Sequence, residues 1–411
     1  MNAEEVYQCG KCGLCLSVCP VYHVTREEGT SPRAKVQLIK HFSEKDLDSS
    51  LYLQELMRKC LMCGACTSFC PSCVDHESVF MRMRAEMADE FGDNWKLRLF
   101  FHLLSHNERL RFVSRFMHIG DGLVHKLRKS NLRDIPLKRL PQLNTKSFDR
   151  QVAATNPPQC ALKGTVLYFT GCATRYFFDQ IGWSTITVLN RLGYQVDVPK
   201  EQMCCGLPLF FHGHEGQALD NIRSTINIFA REDVDAVIVD CATCGAALRH
   251  EYAKVLSNLG QPTEKAELLS SKVCDVSEFV AKHVDDLLPV LAQSTEAAIQ
   301  ISYHSPCHLR NSQKVSQQIE TMLHSLPGVE YVRASDCESC CGGGGTFFYE
   351  YPDITRTMVT KKIENARNTG ASLWLTGCPG CRINLQGNMD EGEELTVQHP
   401  IEVVAKLLTG K

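Results

Sequence analysis

The sequence predicts an α-helical N-terminal region followed by two α/β modules that repeat one another, a fold class of α+α/β. Three observations predict it. Most cysteines fall into two kinds of spaced pattern, one in residues 1–95 and the other in the rest of the chain, and each pattern occurs twice. Helical periodicity marks the N-terminal region. From Gly164 onward, short β-branched or aromatic runs alternate with helical stretches, which is typical of small parallel sheets with helices on both faces.

The elements follow in order along the chain. Pro32–Phe42 begins with proline and places Val36 and Ile39 on one face, which predicts a helix, and Ser78–Phe91 predicts another. The predicted strands are Val166–Thr170, Val196–Val198, Ala236–Asp240, Ile299–His304, Tyr331–Arg333 and Leu373–Thr376. The helices predicted between them include Asp220–Ala230 and Ile354–Asn368.

Length and composition divide the chain and limit its partners. With 411 residues, 44% of them apolar, it exceeds one ordinary domain. We expect a helical domain in 1–95, a basic amphipathic helical connector and linker in 96–160, and modules in 161–295 and 296–411. A net charge of −3 predicts no nucleic-acid partner. The polar start and the lack of an apolar run of 18 residues predict a cytoplasmic protein with reduced thiols.

The connector has two interpretations. A basic amphipathic helix can lie on an anionic membrane or a partner subunit, which would place the chain peripherally on the inner face of the membrane. It can also simply cover the chain's own domains and leave its basic face in solvent, and we prefer this second interpretation.

The first cysteine pattern is Cys9-x2-Cys12-x2-Cys15-x3-Cys19-Pro20, repeated as Cys60-x2-Cys63-x2-Cys66-x3-Cys70-Pro71. This is the bacterial ferredoxin signature for [4Fe–4S] cubanes, in which the fourth cysteine of each run binds the other cluster. Two cubanes are therefore expected. Cys9, Cys12, Cys15 and Cys70 would hold one, and Cys60, Cys63, Cys66 and Cys19 would hold the other. A structural zinc site needs only four ligands and does not account for the repeated Cys-Pro.

The second pattern joins a single cysteine, a Cys-Cys-Gly and a Cys-x-x-Cys. Its first set is Cys172, Cys204, Cys205, Cys241 and Cys244, and its second set is Cys307, Cys340, Cys341, Cys378 and Cys381. Counterparts lie 135, 136 or 137 residues apart. Four of these cysteines directly follow predicted strands, where open α/β sheets place ligands. Because adjacent cysteines do not easily serve two corners of a cubane, the pair indicates an unusual cluster or one unligated thiol. Zinc is the alternative metal.

These sets resemble the CCG domains of the heterodisulfide reductase family, which joins paired ferredoxin motifs to two CCG modules in one chain. The resemblance implies that the five cysteines of a set hold a noncubane [4Fe–4S] cluster, in one or both modules. It also implies that the ten cysteines form the catalytic or electron-transferring sites. We expect the two modules to be related by a pseudo-twofold rotation.

Local sequence is similar to the iron–sulfur subunits of glycolate and lactate oxidase complexes. The similar segments are SPRAKVQLIK from Ser31, CCGLPL from Cys204, CDVSEFV from Cys274, YHSPCHLRN from Tyr303 and ESCCGGGGTFFYEYP from Glu338. The resemblance implies an electron-transfer subunit that serves a flavoprotein dehydrogenase or electron-transfer flavoprotein and passes electrons toward a quinone or another acceptor. No GxGxxG nucleotide motif occurs, so no flavin is expected in this chain.

Two other functions stay open. The glycolate oxidase type often lacks a complete terminal Cys-x-x-Cys, whereas both are complete here, which favours a catalytic subunit that reduces a disulfide at paired noncubane clusters. The other is a zinc-stabilised interaction protein without redox chemistry.

The remaining cysteines and several histidines have weaker interpretations. Free thiols are expected at Cys73, Cys160, Cys274 and Cys337, with Cys337 the one candidate for a spare ligand or redox thiol. His212, His214, His304 and His308 could donate hydrogen bonds to a cluster or a substrate. His304 and His308, which flank Cys307, are the better candidates.

Overall fold

The N-terminal region is helical, as predicted. The structure is a computed structural model that describes residues 4–104, 109, 141, 143–291, 298–390 and 392–410. The helices of this region are α1 (Pro20–Thr25), α2 (Pro32–Ser43), α3 (Leu51–Arg58), α4 (Ala65–Ser68), α5 (His76–Phe91) and α6 (Trp95–Leu104), with 3-10 turns at Glu4–Gln8, Leu14–Leu16 and Glu28–Thr30.

Capping residues explain where three of these helices begin. The side chains of Ser31, Ser50 and Asp75 each accept a hydrogen bond from the backbone N–H three residues ahead, at the starts of α2, α3 and α5. Pro32 occupies the first position of α2, where its missing N–H costs nothing. The SPRAKVQLIK segment is therefore one capped helix, whose Lys35, Val36 and Ile39 are buried.

The predicted connector is described only in part. α6 carries basic residues and buries Leu97 and Phe101, which agrees with packing on the chain's own core. Most of the connector, residues 105–108, 110–140 and 142, lies outside the described residues. Within the part of the chain that is described, no helix is long and apolar enough to cross a membrane.

A five-stranded sheet follows, in the order β1-β3-β2-β4-β5. Its strands are β1 (Thr155–Asn156), β2 (Gly164–Phe169), β3 (Tyr194–Asp197), β4 (Ala236–Val239) and β5 (Val273–Asp275). All pairings are parallel except that of β1 with β3. The helices are α7 (Phe148–Gln151), α8 (Gly171–Tyr176), α9 (Asp179–Arg191), α10 (Leu207–Phe210), α11 (Glu215–Phe229), α12 (Ala242–Ala246), α13 (Tyr252–Asn258), α14 (Glu264–Lys272), α15 (Val276–Lys282) and α16 (Val284–Leu291), with a π-helix at Ala247–Glu251.

A second, four-stranded parallel sheet has the order β7-β6-β8-β9. Its strands are β6 (Ile299–His304), β7 (Val329–Tyr331), β8 (Leu373–Thr376) and β9 (Thr396–Gln398). The helices are α17 (Ser316–Ser325), α18 (Phe347–Glu350), α19 (Pro352–Arg367), α20 (Pro379–Gly387) and α21 (Pro400–Thr409), with a π-helix at His308–Ser312. This order repeats β3-β2-β4-β5, so the two sheets share one topology.

The sheets confirm the predicted α/β character and shift some details. β7 begins and ends two residues earlier than the predicted strand Tyr331–Arg333. β1, β5 and β9 were not predicted, because each has at most three residues, which is too few for a periodic pattern to stand out. The core runs through both sheets and beneath α2, α3 and α5, and β4 is buried along its whole length.

Candidate metal-binding site

The two N-terminal cysteine runs form loops of the same conformation. Lys11 and Met62 occupy the same place in each run, before its second cysteine, and both have positive φ, 56° and 50°. Gly13 and Gly64 follow that cysteine with φ of 79° and 70°, and each starts a short helical turn. Glycine reaches this conformation without strain, so the Cys-Gly pair in each run lets the backbone turn tightly and bring the cysteines of that run together.

The structure brings Cys19 to the second run. Cys19, Cys60, Cys63 and Cys66 together line a small cavity of about 20 Å³. Cys19 reaches it from the start of α1, where its sulfur accepts a hydrogen bond from Tyr22 N at 3.5 Å. Four thiols from two distant segments therefore face one space.

The other four cysteines of these runs are less tightly gathered. Cys9 and Cys12 lie near enough to Cys15 for their charges to raise its pKa. Cys70 follows α4, which contacts the turn Leu14–Leu16 that carries Cys15. Burial raises the pKa of the Cys15 thiol to about 11, because the thiolate is the form that burial disfavours.

Two buried cations lie beside the second run. Lys35 Nζ donates to Thr30 O at 2.8 Å and to Lys59 O at 2.7 Å. The Arg84 guanidinium donates to the carbonyls of Met57, Arg58, Cys60 and Phe211. Burial lowers the pKa of both groups, and the charge of Cys60 opposes that shift. The second run therefore lies in a positive environment that the sequence did not reveal.

All ten cysteines of the CCG-type sets line a single cavity of about 420 Å³ between the modules. Nine of them are buried and Cys172 is half-buried. All of them follow parallel strands, either in the loop after the strand or in the first turn of the helix that comes next, in accord with the placement of ligands at the carboxyl ends of such strands.

The ten thiols lie in one row, in which each thiol is close enough to its neighbours to shift their pKa. In order, the row is Cys172, Cys204, Cys205, Cys244, Cys241, Cys378, Cys381, Cys341, Cys340 and Cys307. The link between the modules is Cys241 with Cys378, and Thr243 Oγ1 lies 3.6 Å from Cys378 Sγ. The sequence predicted two sets of five, and the structure adds that the sets adjoin.

The second cysteine of each vicinal pair is the one that favours the thiolate. Hydrogen bonds from Cys340 and Cys381 lower the pKa of Cys341 to about 5. Those from Cys204 and Cys244 lower the pKa of Cys205 well below its ordinary value. Because the thiolate is the metal-binding form of cysteine, Cys205 and Cys341 are poised to bind a metal ion.

Side-chain donors hold the backbone of both vicinal pairs, but at different carbonyls. Asn221 Nδ2 donates to Cys204 O at 2.9 Å, and Asn384 Nδ2 donates to Cys341 O at 2.7 Å. Tyr252 OH donates to Cys205 O at 2.9 Å. Gly342 has a φ of 82°, and its N–H points at Cys340 Sγ, 3.4 Å away. Sequence reasoning missed the two asparagines, which lie 17 and 43 residues from the cysteines they contact.

His308 joins the second cysteine run to the second set. Its Nε2 lies 3.2 Å from Met62 O, between Cys60 and Cys63, and its side chain hydrogen bonds to the Cys307 thiol. Burial alone would lower the pKa of His308, but the charge and hydrogen bond of Cys307, together with the charges of Cys378 and Glu251, outweigh burial and raise that pKa to about 9. Asn311 Nδ2 donates to Cys63 O at 2.7 Å. The second run therefore contacts the second module directly.

The other candidate residues have separate places. His212 lines the large cavity and bonds through Nε2 to Glu350 Oε1 and Thr346 Oγ1, both at 2.8 Å. His214 bonds to Asp93, away from the cysteines. Cys73 and Cys160 are exposed, and Cys274 is buried in β5. Cys337 is buried and accepts a hydrogen bond from Arg333 Nε at 3.1 Å.

The donor set fits iron–sulfur clusters. Eighteen cysteines in the spaced patterns are free thiols, and fourteen of them line two interior cavities, four in the small one and ten in the large one. Soft thiolates clustered in this way select iron–sulfur clusters or zinc. Thiolates this close repel one another unless a metal ion neutralises them.

Comparison with known proteins decides between these metals. Residues 5–74 match the family described as 4Fe-4S dicluster domain, and residues 166–249 and 301–386 match the family described as Cysteine-rich domain, the CCG domain. Lactate utilization protein A of Shouchella clausii is 30% identical over 242 residues, which cover 58% of this chain and 98% of that protein.

This chain belongs to the CCG-domain iron–sulfur protein family. The probable glycolate oxidase iron-sulfur subunit of Bacillus subtilis is 27% identical over 407 residues, 94% of this chain and 89% of that protein. One subunit of the fumarate reductase (CoM/CoB) of Methanothermobacter marburgensis is 26% identical over 403 residues, 95% of this chain and 69% of that protein. The resemblance seen in the sequence is thereby confirmed.

Proposed function

We propose that this CCG-domain protein is the iron–sulfur electron-transfer subunit of a multi-subunit, flavin-dependent oxidoreductase. Its electron donor is a flavoprotein dehydrogenase for a 2-hydroxy acid such as lactate or glycolate, or an electron-transfer flavoprotein. Its acceptor is a quinone or another oxidant. One observation carries the proposal: the second cysteine run contacts the second CCG set through His308, and that set adjoins the first. Such continuity is what an electron relay requires.

The cysteines divide among four clusters in this proposal. Cys9, Cys12, Cys15 and Cys70 hold one cubane, and Cys19, Cys60, Cys63 and Cys66 hold the second. Noncubane clusters are assigned to the five cysteines of each CCG set. When bound, these clusters supply one-electron redox chemistry at potentials set by charge, hydrogen bonds and exposure. The shared cavity lined by Cys19, Cys60, Cys63 and Cys66 supports the crossed arrangement.

The chain's own residues position and insulate the relay. His308 and Asn311 hold the loop of the second run against the second module by bonding to the carbonyls of Met62 and Cys63. Leu61 lines both cavities, and Phe211 lines the large one. These apolar side chains exclude water from the cavity walls. Lys35 and Arg84 offset negative charge at the second run.

We also propose the domain boundaries 1–95, 96–160, 161–295 and 296–411, with the two modules related by a pseudo-twofold rotation. Reciprocal packing supports that rotation. α9 of the first module packs on α21 of the second, and α17, the counterpart of α9, packs on α15, the counterpart of α21. The contact between Cys241 and its own counterpart Cys378 supports an axis near that pair.

The proposal places the chain in the cytoplasm, in a complex with its flavoprotein and without nucleic acid. Contact with the inner face of the membrane would bring it to a quinone acceptor. The names of the glycolate oxidase subunit and the lactate utilization protein support a partner that oxidises a 2-hydroxy acid.

Anaerobic reduction of the full chain tests the proposal. The chain, reconstituted with iron and sulfide, is mixed with lactate or glycolate and the candidate flavoprotein, and cluster absorbance is followed before and after a water-soluble quinone is added. Bleaching should require both substrate and flavoprotein, and quinone should restore the colour. The Cys60→Ala variant should transfer electrons more slowly, whereas Cys160→Ala, at an exposed thiol, should match the wild type. Oxidation of lactate by this chain alone would contradict the proposal.

The large cavity favours a second candidate, a catalytic subunit that reduces a disulfide. Both complete cysteine sets face that space, and the similarity to the fumarate reductase (CoM/CoB) protein supports this alternative. In it, the two sulfurs of the substrate would take up two electrons and two protons to give two thiols. A Cys340→Ala or Cys341→Ala variant that reduced a candidate disulfide at the full rate would exclude it.

A further inference from the structure

His304 is the last residue of β6 and is completely buried beside the second CCG set. Its Nδ1 lies 3.3 Å from Cys337 O. Because a carbonyl oxygen only accepts hydrogen bonds, Nδ1 must carry the proton. The other nitrogen of the neutral ring, Nε2, is then a lone-pair donor. An imidazole fixed by a carbonyl at one nitrogen is the usual state of a histidine that binds a metal ion through the other.

Nε2 of His304 has no hydrogen-bond partner within the described part of the chain. Leaving a buried polar nitrogen unsatisfied costs about 1–3 kcal/mol, so the site calls for a partner. Trp374 packs edge-on against the ring, with centroids 6.4 Å apart, and restricts its rotation. One ring nitrogen of His304 and the sulfurs of Cys341 and Cys381 all lie within 4.8 Å of one another. Because Nδ1 faces Cys337 O, Nε2 is the nitrogen that is left for a metal ion. One metal ion can contact all three.

The first set has a hydrocarbon ring at the matching position. Phe169 stands three residues before Cys172, as His304 stands three residues before Cys307. Phe169 ends β2, is completely buried, and packs edge-on against Phe229. The two sets therefore have matching cysteines. They differ at the residue that ends the preceding strand, which is Phe169 in the first module and His304 in the second.

We propose that His304 Nε2 is a nitrogen ligand to an iron ion held by Cys341 and Cys381, in addition to the five cysteines of the second set. The inference rests on the proposed presence of an iron–sulfur cluster in that set. A neutral imidazole adds no negative charge where a sixth thiolate would. The two CCG sites are therefore chemically unequal, because the second has a neutral nitrogen donor that the first lacks.

Pulsed EPR on the full chain tests this ligand. The protein is grown with ¹⁵N-labelled histidine, reconstituted anaerobically with ferrous iron and sulfide, and compared with His304→Phe, which reproduces Phe169 of the first module. The wild type should show a coupling from a histidine nitrogen to the signal of the second set. That coupling should vanish in His304→Phe and persist in His324→Phe, at an exposed histidine. The midpoint potential of the second site should differ between the wild type and His304→Phe, and should be unchanged in His324→Phe.

The outcomes separate the ligand from the function. A coupling that survives in His304→Phe, or is missing from a wild-type signal of the second set, overturns the ligand and leaves the proposed function intact. Equal iron content in the wild type and Cys341→Ala would mean an empty second set, which overturns both. If His304→Phe loses its cubane signals as well, His304→Gln provides the comparison, and loss of the histidine coupling there is again the expected result.

Discussion

Cys241 and Cys378, counterparts in the two CCG modules, lie side by side, so that each thiol shifts the pKa of the other. Each is the first cysteine of its own Cys-x-x-Cys and directly precedes a helix, α12 for Cys241 and α20 for Cys378. The two cysteine sets are thus neighbours with a common boundary, and the second of them also contacts the second N-terminal run. This arrangement leads to predictions about how each cysteine affects iron content.

Loss of one vicinal cysteine should empty one module. Cys205→Ala and Cys341→Ala each remove the thiol with the lowered pKa of its pair, so each should lose about four iron atoms per chain. Iron and acid-labile sulfide assays on anaerobic protein measure this. Cys160→Ala, at an exposed thiol, is the matched control and should keep its full iron content. Loss of iron from both modules in either variant would show that the sites do not fill independently.

Crossed ligation of the cubanes predicts which double variants are additive. Cys19 and Cys60 line the same cavity, so Cys19→Ala combined with Cys60→Ala should lose no more iron than either change alone. Cys19→Ala combined with Cys9→Ala should lose about twice as much, because it removes a ligand from each cubane. Iron content with EPR of the reduced protein decides the matter, and the reverse pattern would refute the crossed assignment.

Lys35 should raise the potential of the second cubane. Its buried ammonium lies at Lys59 O, next to Cys60, and stabilises the extra negative charge of the reduced state. Lys35→Met should lower that midpoint potential on the order of tens of millivolts, since charge interactions in a protein interior amount to about 1 kcal/mol or more. EPR-monitored redox titration measures the shift. Lys40→Met, on the same helix but near the surface, should change nothing.

Glu278 links stability to pH through two cations. Lys282 Nζ donates to Glu278 Oε1 at 2.7 Å, and Arg249 Nη2 donates to Oε2 at 3.1 Å. Burial raises the pKa of Glu278, but these two partners outweigh it and hold the pKa below its ordinary value. A carboxyl group whose pKa is lower in the folded than in the unfolded state stabilises the fold at pH values above its unfolded-state pKa. This stabilisation is lost as the pH falls through the folded-state pKa.

Glu278→Gln should therefore destabilise the chain at pH 7, by about 1–3 kcal/mol. It should also reduce the loss of stability below about pH 4.5, the region in which an unfolded glutamate takes up a proton. Urea unfolding of the wild type and the variant at several pH values measures both effects. Equal stability differences at pH 7 and at pH 4 would contradict the assigned charge interaction.

The cysteine spacing predicted the larger features of this molecule because ligand patterns are local. The runs at Cys9 and Cys60 and the strands before Cys172 and Cys307 are visible within a few residues. The predicted helical and α/β regions are confirmed. Strands such as β5 and β9 escaped prediction because three residues carry no periodic signal.

Contacts between distant segments were beyond the sequence. Nothing in the local pattern places Arg84 on the carbonyl of Phe211, or His308 on that of Met62, because these pairs are 127 and 246 residues apart. His304 could be singled out from its position near Cys307, yet its free nitrogen depends on where Cys337 O lies. The path between clusters therefore required the folded structure.

Metal analysis with EPR on the anaerobically purified full chain tests the central claim most directly. Two cubanes and two noncubane clusters predict about 16 iron atoms per chain, matching sulfide, a brown colour, and separate cubane and noncubane signals. Zinc in place of iron, in a colourless protein without EPR signals, would contradict an electron relay built on these cysteines.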